Sequence, residues 1–392
     1  MREGWTYKTF GDVGSFLRGK SIQKADFVEK GLPCIHYGQI HTKFGVSVDK
    51  HLTEIPSDIY EKSIIASPGD VIIAITSEDL EGSCKSTAWL GDYDVAVSAH
   101  AAVYKHNLNP KYIVYYLRSN SFYVEKEKYA RGFKVMEIKP TDIARILIPI
   151  PPISIQQSIV AELDKINELI GLKQSQLSDL DSLAQSIFYE MFGDPVENEK
   201  GWEVKKMEDI CTNIVDCPHS TPRKSDSVTD YPCIRTSELK GGAISWDTMQ
   251  YLEKEEYEIR IARLKPEAGD IVFGREGTIG DAVILPKGYN FCLGQRTMLL
   301  RANTEIISNI FLHRVILSEW IKQQIEYVNV SSTVAHVNIK DFKQFPVPLP
   351  PLPRQQSFAA RIIAIEQQKQ RISSSIKDLE TLLASRMQYW FD

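Results

Sequence analysis

The chain has 392 residues, 43% of them hydrophobic and 25% charged, which excludes a disordered or fibrous protein and leaves room for two or three globular domains. Its formal net charge of -5 excludes a protein that coats nucleic acid by bulk positive charge, so any DNA contact must be local or shared with a partner. The longest apolar runs, such as 71–75 and 146–152, fall far short of the roughly 20 residues that span a bilayer, and Met1-Arg2-Glu3-Gly4-Trp5 lacks an apolar signal-peptide core; no membrane association and a cytoplasmic location are expected.

In chain order, the first motif is Gly14-Ser15-Phe16-Leu17-Arg18-Gly19-Lys20-Ser21, which fits the phosphate-loop pattern G-x-x-x-x-G-K-[ST] letter for letter. A phosphate loop follows a buried strand and opens a helix, whereas the polar stretch Lys8 to Val13 precedes this one. No apolar run ending in Asp supplies a magnesium-holding partner. Lys20 is therefore read as part of a basic turn, facing DNA or solvent, and a P-loop NTPase using Lys20 stands as a rival. Next, Pro33-Cys34-Ile35 and the segment Asp70 to Thr76 have the β-branched or apolar character of strands, and Tyr112 to Arg118 that of a helix. Polar residues in the loops between these strands are candidates for DNA contact: His36, Tyr37, Gln39, His41 and Lys43; Thr76, Ser77 and Lys85; then Arg131 and Lys134.

Ile148-Pro149-Ile150-Pro151-Pro152 then punctuates the chain, and Ser154 is a plausible N-cap for a helix with a strict heptad. One seam position takes Ile159, Ile166, Lys173, Leu180 and Ile187; the other takes Leu163, Ile170, Leu177, Ala184 and Met191.

From residue 201 the pattern starts again. Gly201-Trp202 repeats Gly4-Trp5, Pro232-Cys233-Ile234 repeats Pro33-Cys34-Ile35, and Gly269-Asp270 repeats Gly69-Asp70. Asp270 to Phe273 reads as a strand and Ile310 to Ile321 as one helix. The glycine-rich run Phe273 to Asp281 lacks the G-x-G spacing of a dinucleotide site and reads as a strand-to-strand loop. Candidates in this half are Thr221, Arg223, Lys224, Arg235, Arg275, Thr278, Gln295, Arg296, Ser332, Thr333 and His336. The second helix follows Pro348-Leu349-Pro350-Pro351, and its seam lies at an offset of 199 from the first: Phe358, Ile365, Ile372, Leu379 and Arg386, with Ile362, Lys369, Ile376, Leu383 and Trp390. Residues 153–194 hold two Lys against seven Asp or Glu, and residues 352–392 six Lys or Arg against four, about -5 against +2, which favours pairing of the two helices with each other. A compact second half joins the end of one helix to the start of the other, so the pair must be antiparallel. At about 1.5 Å per residue, some 38 helical residues give roughly 57 Å.

None of the six cysteines forms Cys-x-x-Cys; Cys34 and Cys233 read as buried thiols, and Cys217 with His219 lacks the further ligands of a zinc site. Neither a [DN]-P-P-[FYW] motif nor a methyl-donor loop occurs, and no metal site is expected.

The doubled Gly-Trp opening, the Pro-x-Ile strand, the Gly-Asp strand (Pro68 to Ile72, Ala268 to Val272), Gln295-Arg296 and above all the doubled Pro-x-Pro-Pro-x-x-x-Gln-Gln helix start resemble the Type I restriction-modification specificity subunit family over essentially the whole chain. The first half departs from it with Ala99-His100-Ala101 where the second has Gln295-Arg296-Thr297. The resemblance implies an α/β (α+β) architecture. Two globular target recognition domains, 1–152 and 195–351, would be separated by two long antiparallel coiled-coil helices, 153–194 and 352–392, in a pseudo-two-fold internal repeat. It further implies that the chain binds double-stranded DNA without catalysing anything. Two modification (methyltransferase) subunits would bring S-adenosylmethionine-dependent adenine methylation, and restriction subunits ATP- and Mg-dependent translocation and cleavage. A stand-alone coiled-coil DNA-binding regulator is the second rival.

Overall fold

The computed structural model describes residues 4–20, 22–132, 134–277, 279–329 and 336–392, with the side chain of Asn329 left aside. The chain divides into two compact units, Met1–Ser175 with Ser373–Asp392, and Gln176–Ile372.

In the first unit, a five-stranded sheet runs in the order Gly14–Arg18, Ala101–His106, Val71–Ala74, Ser86–Trp89 and Ser47–Val48. A second sheet of Thr53–Ile55, Leu32–Ile35, Val95–Val97 and Ile64–Ala66 packs against it through Ile35, Ile72, Trp89 and Val97. The second unit repeats the plan with fewer strands. Cys211–Asp216, Thr297–Ala302, Ile271–Gly274 and Ala282–Ile284 form one sheet, and Gln250–Tyr251, Pro232–Ile234 and Cys292–Leu293 the other. The pure alternation of a one-sided sheet is absent from Val71–Ala74 and Ile271–Gly274 because both faces are covered, and every residue in them is buried.

The repeated Gly-Asp has a structural cause. Gly69 and Gly269 take φ of 94° and 93°, a conformation that side chains rarely adopt. The following carboxylate closes the turn, accepting from the Ser67 and Glu267 amides at 2.7 and 2.8 Å. It then pairs with a cation on the adjacent central strand, Asp70 with Lys105 at 2.6 Å and Asp270 with Arg301 at 2.8 Å.

The first proline run becomes an edge strand, Leu147–Ile150 against Thr6–Thr9, and the second, Pro346–Leu349, pairs with Glu203–Lys206. Each leads into a 40-residue helix, Ile153–Phe192 and Leu352–Phe391. Ser154 lies inside the first turn rather than capping it. The anchoring is done by Gln156, whose buried amide donates to the Pro151 carbonyl at 2.9 Å and accepts from the Asn109 amide at 3.0 Å. Gln355 repeats this with Pro350 at 2.7 Å and Ser308 at 2.8 Å. The amide thus ties each long helix to the N-terminus of a short one, Pro110–Leu117 or Asn309–Ile316.

The heptad positions of both helices are buried or half-buried, Ile159, Leu163, Phe358 and Ala184 most deeply. Within the second unit the helices run antiparallel, since Phe188 meets Phe358 and Asp181 meets Lys369. Two of the polar seam residues take carboxylates from the opposite helix. Lys369 lies 2.7 Å from Asp181, and Arg386 grips Glu162, which also accepts from the Trp390 indole at 2.9 Å. Lys173 is half-buried. The helix read over 310–321 is two, Asn309–Ile316 and Glu319–Asn329, because the Leu317 and Ser318 amides close a turn onto His313 and Val315. No helix among the described residues is long and apolar enough to cross a membrane.

Candidate nucleic-acid interface

The match to a phosphate loop dissolves in the structure. Gly14–Arg18 is a strand paired with Ala101–His106, and no helix starts at Lys20. Its glycines serve close packing: a Cβ on Gly14 would lie 2.2 Å from the Lys105 carbonyl oxygen, and one on Gly19 2.1 Å from that of Ser98. Lys20 is exposed beside Ser98; Ser21 lies outside the described residues.

Each unit instead opens a cleft lined mainly by polar residues. In the first, a cleft of about 1220 Å³ is lined by Tyr37, His41, Thr76, Ser77, Lys85 and His100, together with the charged residues Glu78, Asp79, Glu81, Arg118 and Lys126. In the second, a cleft of about 490 Å³ is lined by Thr221, Lys224, Arg235, Thr236, Ser237, Gln250, Gln295 and Arg296. Ten of the residues singled out from sequence are thereby gathered into two places.

The frame beneath the clefts is repeated bond for bond. After each Pro-Cys-Ile strand, a side chain three residues on accepts the next amide: Gln39 from His36 at 3.1 Å, and Glu238 from Arg235 at 2.8 Å. The chain on the far side of the cleft is held to the same strand, with Ser98 donating to Ile35 at 3.1 Å and Gly294 to Ile234 at 2.7 Å. What stands on the frame differs. The first cleft carries imidazoles and a phenol, the Tyr37 ring lying 4.6 Å from His36 and 5.1 Å from His100. The second carries the guanidiniums of Arg235 and Arg296, the amides of Gln250 and Gln295, and hydroxyls.

Several candidates turn out to be committed to the protein itself. His36 is buried, its Nδ1 accepting from Gly38 at 3.2 Å, and burial together with Lys24 and His100 pushes its pKa below the usual range, so it stays neutral and caps a turn. Gln39 spans His36 and Thr53. The Thr76 side chain is buried, its carbonyl accepts from His41 Nε2 at 3.1 Å, and the Lys85 ammonium donates to the His41 carbonyl at 2.8 Å. Arg131 reaches Asp142 at 3.4 Å. Arg275 is buried: its guanidinium grips Asp216 and donates to the Val337 carbonyl at 2.9 Å. Burying an arginine requires such full pairing, and that pairing removes it from the surface. Arg223 is exposed but paired with Glu256 at 3.1 Å, and Arg235 is clamped by Glu238 at 2.7 Å. Lys43 and Lys134 are exposed outside the cleft lining, and His336 is half-buried against Glu276. Thr278, Ser332 and Thr333 lie outside the described residues.

His100 was not among the residues picked from sequence. The signal was present in the contrast of Ala99-His100-Ala101 with Gln295-Arg296-Thr297, which marked a place where the halves differ.

Comparison with known proteins gives a class to these two mixed-sheet units, each with a cleft on a repeated frame and each tied to a long helix. The model of the Type I restriction modification DNA specificity domain matches twice, over residues 2–181 and 199–380, and the chain belongs to that family. It is similar to the MjaVIII specificity subunit of Methanocaldococcus jannaschii, 21% identical across 97% of this chain and 92% of that one. It is also similar to the EcoKI specificity subunit of Escherichia coli K12, 23% identical across 92% and 82%. The fold matches the S subunit of a Type I restriction-modification system from M. genitalium with a TM-score of 0.58 at 13% identity, covering 99% of this chain and 96% of that one. A chain from a study of assembly and conformational transition in the Type I system matches with 0.60 at 18%, covering 100% and 98%.

Proposed function

We propose that this chain is the non-catalytic subunit that chooses the DNA site for a Type I restriction-modification complex. Its two recognition domains, 1–152 and 195–351, read two unlike half-sites separated by an unread spacer, and the helices of 153–194 and 352–392 carry the partner-binding surface. Two modification subunits supply S-adenosylmethionine and methylate adenine; restriction subunits supply ATP- and Mg-dependent cleavage. The observation that carries this reading is the repeated hydrogen-bonded frame bearing different side chains in its two clefts, which suits two readers of the same descent with different targets. Phosphate contacts fix position while base-edge contacts choose sequence, so a chain of net charge -5 can specify a site if its partners supply much of the positive charge. Such a complex belongs in the cytoplasm, with the DNA.

The test is to sequence methylated adenines in host DNA with and without the gene. A two-part asymmetric motif that disappears with the gene is the expected result, and an unchanged methylation pattern refutes it. The NTPase rival would require nucleotide binding lost on Lys20→Ala, and the regulator rival tight specific binding in the absence of any methyltransferase subunit.

A further inference from the structure

The same strained backbone position occurs in both clefts. His100 and Arg296 take φ of 68° and 66°, and each immediately precedes the second strand of its unit's larger sheet, Ala101–His106 or Thr297–Ala302. Each is held there by the same bond, its carbonyl accepting from the residue just beyond the neighbouring strand: Ile75 to His100 at 2.9 Å and Arg275 to Arg296 at 2.8 Å. A turn that needed only this conformation would be served best by glycine. Both positions instead keep a large polar side chain that is exposed and lines the cleft. Strain retained alongside a projecting polar group is the mark of a residue used for its side chain.

The chemistry of the two differs. Arg296 is 64% exposed, its Nε is 3.3 Å from Glu276, and the preceding Gln295 is tied to the His219 carbonyl at 2.7 Å. The fork is steadied and still open to an incoming ligand. His100 stands beside Tyr37, and an imidazole cannot present two parallel donors. Resting on the reading of this chain as a DNA-specificity subunit, we infer that His100 and Arg296 are paired specificity-determining residues, one for each half-site, and that Arg296 selects a guanine through its O6 and N7 edge. The planar fork of arginine matches those two acceptors, which no other base presents together in the major groove.

The full chain, assembled with its methyltransferase subunits, is used to select from duplexes randomised at both half-sites. Arg296→Gly removes the side chain and relaxes the backbone, so loss of folding is not the expected outcome. The selected motif should lose one guanine in one half-site, discrimination there falling about tenfold to a hundredfold, while the other half-site is unchanged. Arg296→Lys should retain part of it, and His100→Gly should relax only the opposite half-site. An unaltered motif with Arg296→Gly overturns the inference. So does uniform weakening on all duplexes with a shallower salt dependence, which would make Arg296 a phosphate contact. A wild-type complex that selects no sequence overturns the underlying reading and this inference with it.

Discussion

Two imidazoles, His106 half-buried and His313 buried, make the fold less stable as the pH falls. His106 and His313 have pKa values pushed down to about 4, chiefly by burial, and His313 Nε2 donates to the Ala282 carbonyl at 2.9 Å. An unfolded histidine takes up its proton near pH 6.5, so between about 6.5 and 4 the unfolded chain binds more protons than the native one. Stability is therefore full above about 6.5 and is lost as the pH falls through that window, by at most about 3 kcal/mol for each group. Thermal unfolding should show a clear fall in Tm from pH 7 to 5, steeper than in a His313→Gln variant; a flat profile would count against the assignment. At this scale the sequence was least informative. Charge and loop position pointed to Arg275, but its burial depends on Asp216 and Val337, some sixty residues away on either side. The same holds for His100, whose φ is set by a bond to Ile75 that no local pattern reports.

Among elements, the start of each long helix was legible as a motif but not as a mechanism. Proline punctuation and a doubled Gln-Gln are visible in the letters; that only the first glutamine of each pair is buried is not. Replacing Gln156 or Gln355 with Ala leaves a buried amide and carbonyl without partners and should destabilise the chain by about 2–4 kcal/mol, whereas Gln157→Ala and Gln356→Ala should stay within about 0.5 kcal/mol. Denaturant titration of the four variants reads the difference directly, and equal effects would refute the anchoring role. The seam was legible because a seven-residue period survives any tertiary context. Its pairing of Lys369 with Asp181 is half open to water, so a double-mutant cycle should return a coupling below about 1 kcal/mol, with Lys369→Glu partly rescued by Asp181→Lys.

For the whole molecule, the repeat was legible because the offset of 199 never slips through the helices. It drifts inside the units, to 200 at Val71 and Ile271 and to 196 at Ala101 and Thr297, where loops of unequal length intervene. A net charge of -5 predicts that the isolated chain binds cognate duplex far more weakly than the complete methyltransferase does, and that adding the modification subunits restores affinity together with a steep salt dependence. Fluorescence anisotropy at two salt concentrations checks this; equal affinity with and without those subunits would contradict it. The glutamine anchors carry one more consequence. Gln156 and Gln355 grip only main-chain groups, at Asn109 and Pro151, and at Ser308, Ile306 and Pro350. Such a socket is blind to side-chain identity, so one helix start can seat reading units of unrelated sequence, and a lineage can acquire a new target without rebuilding the joint that holds it.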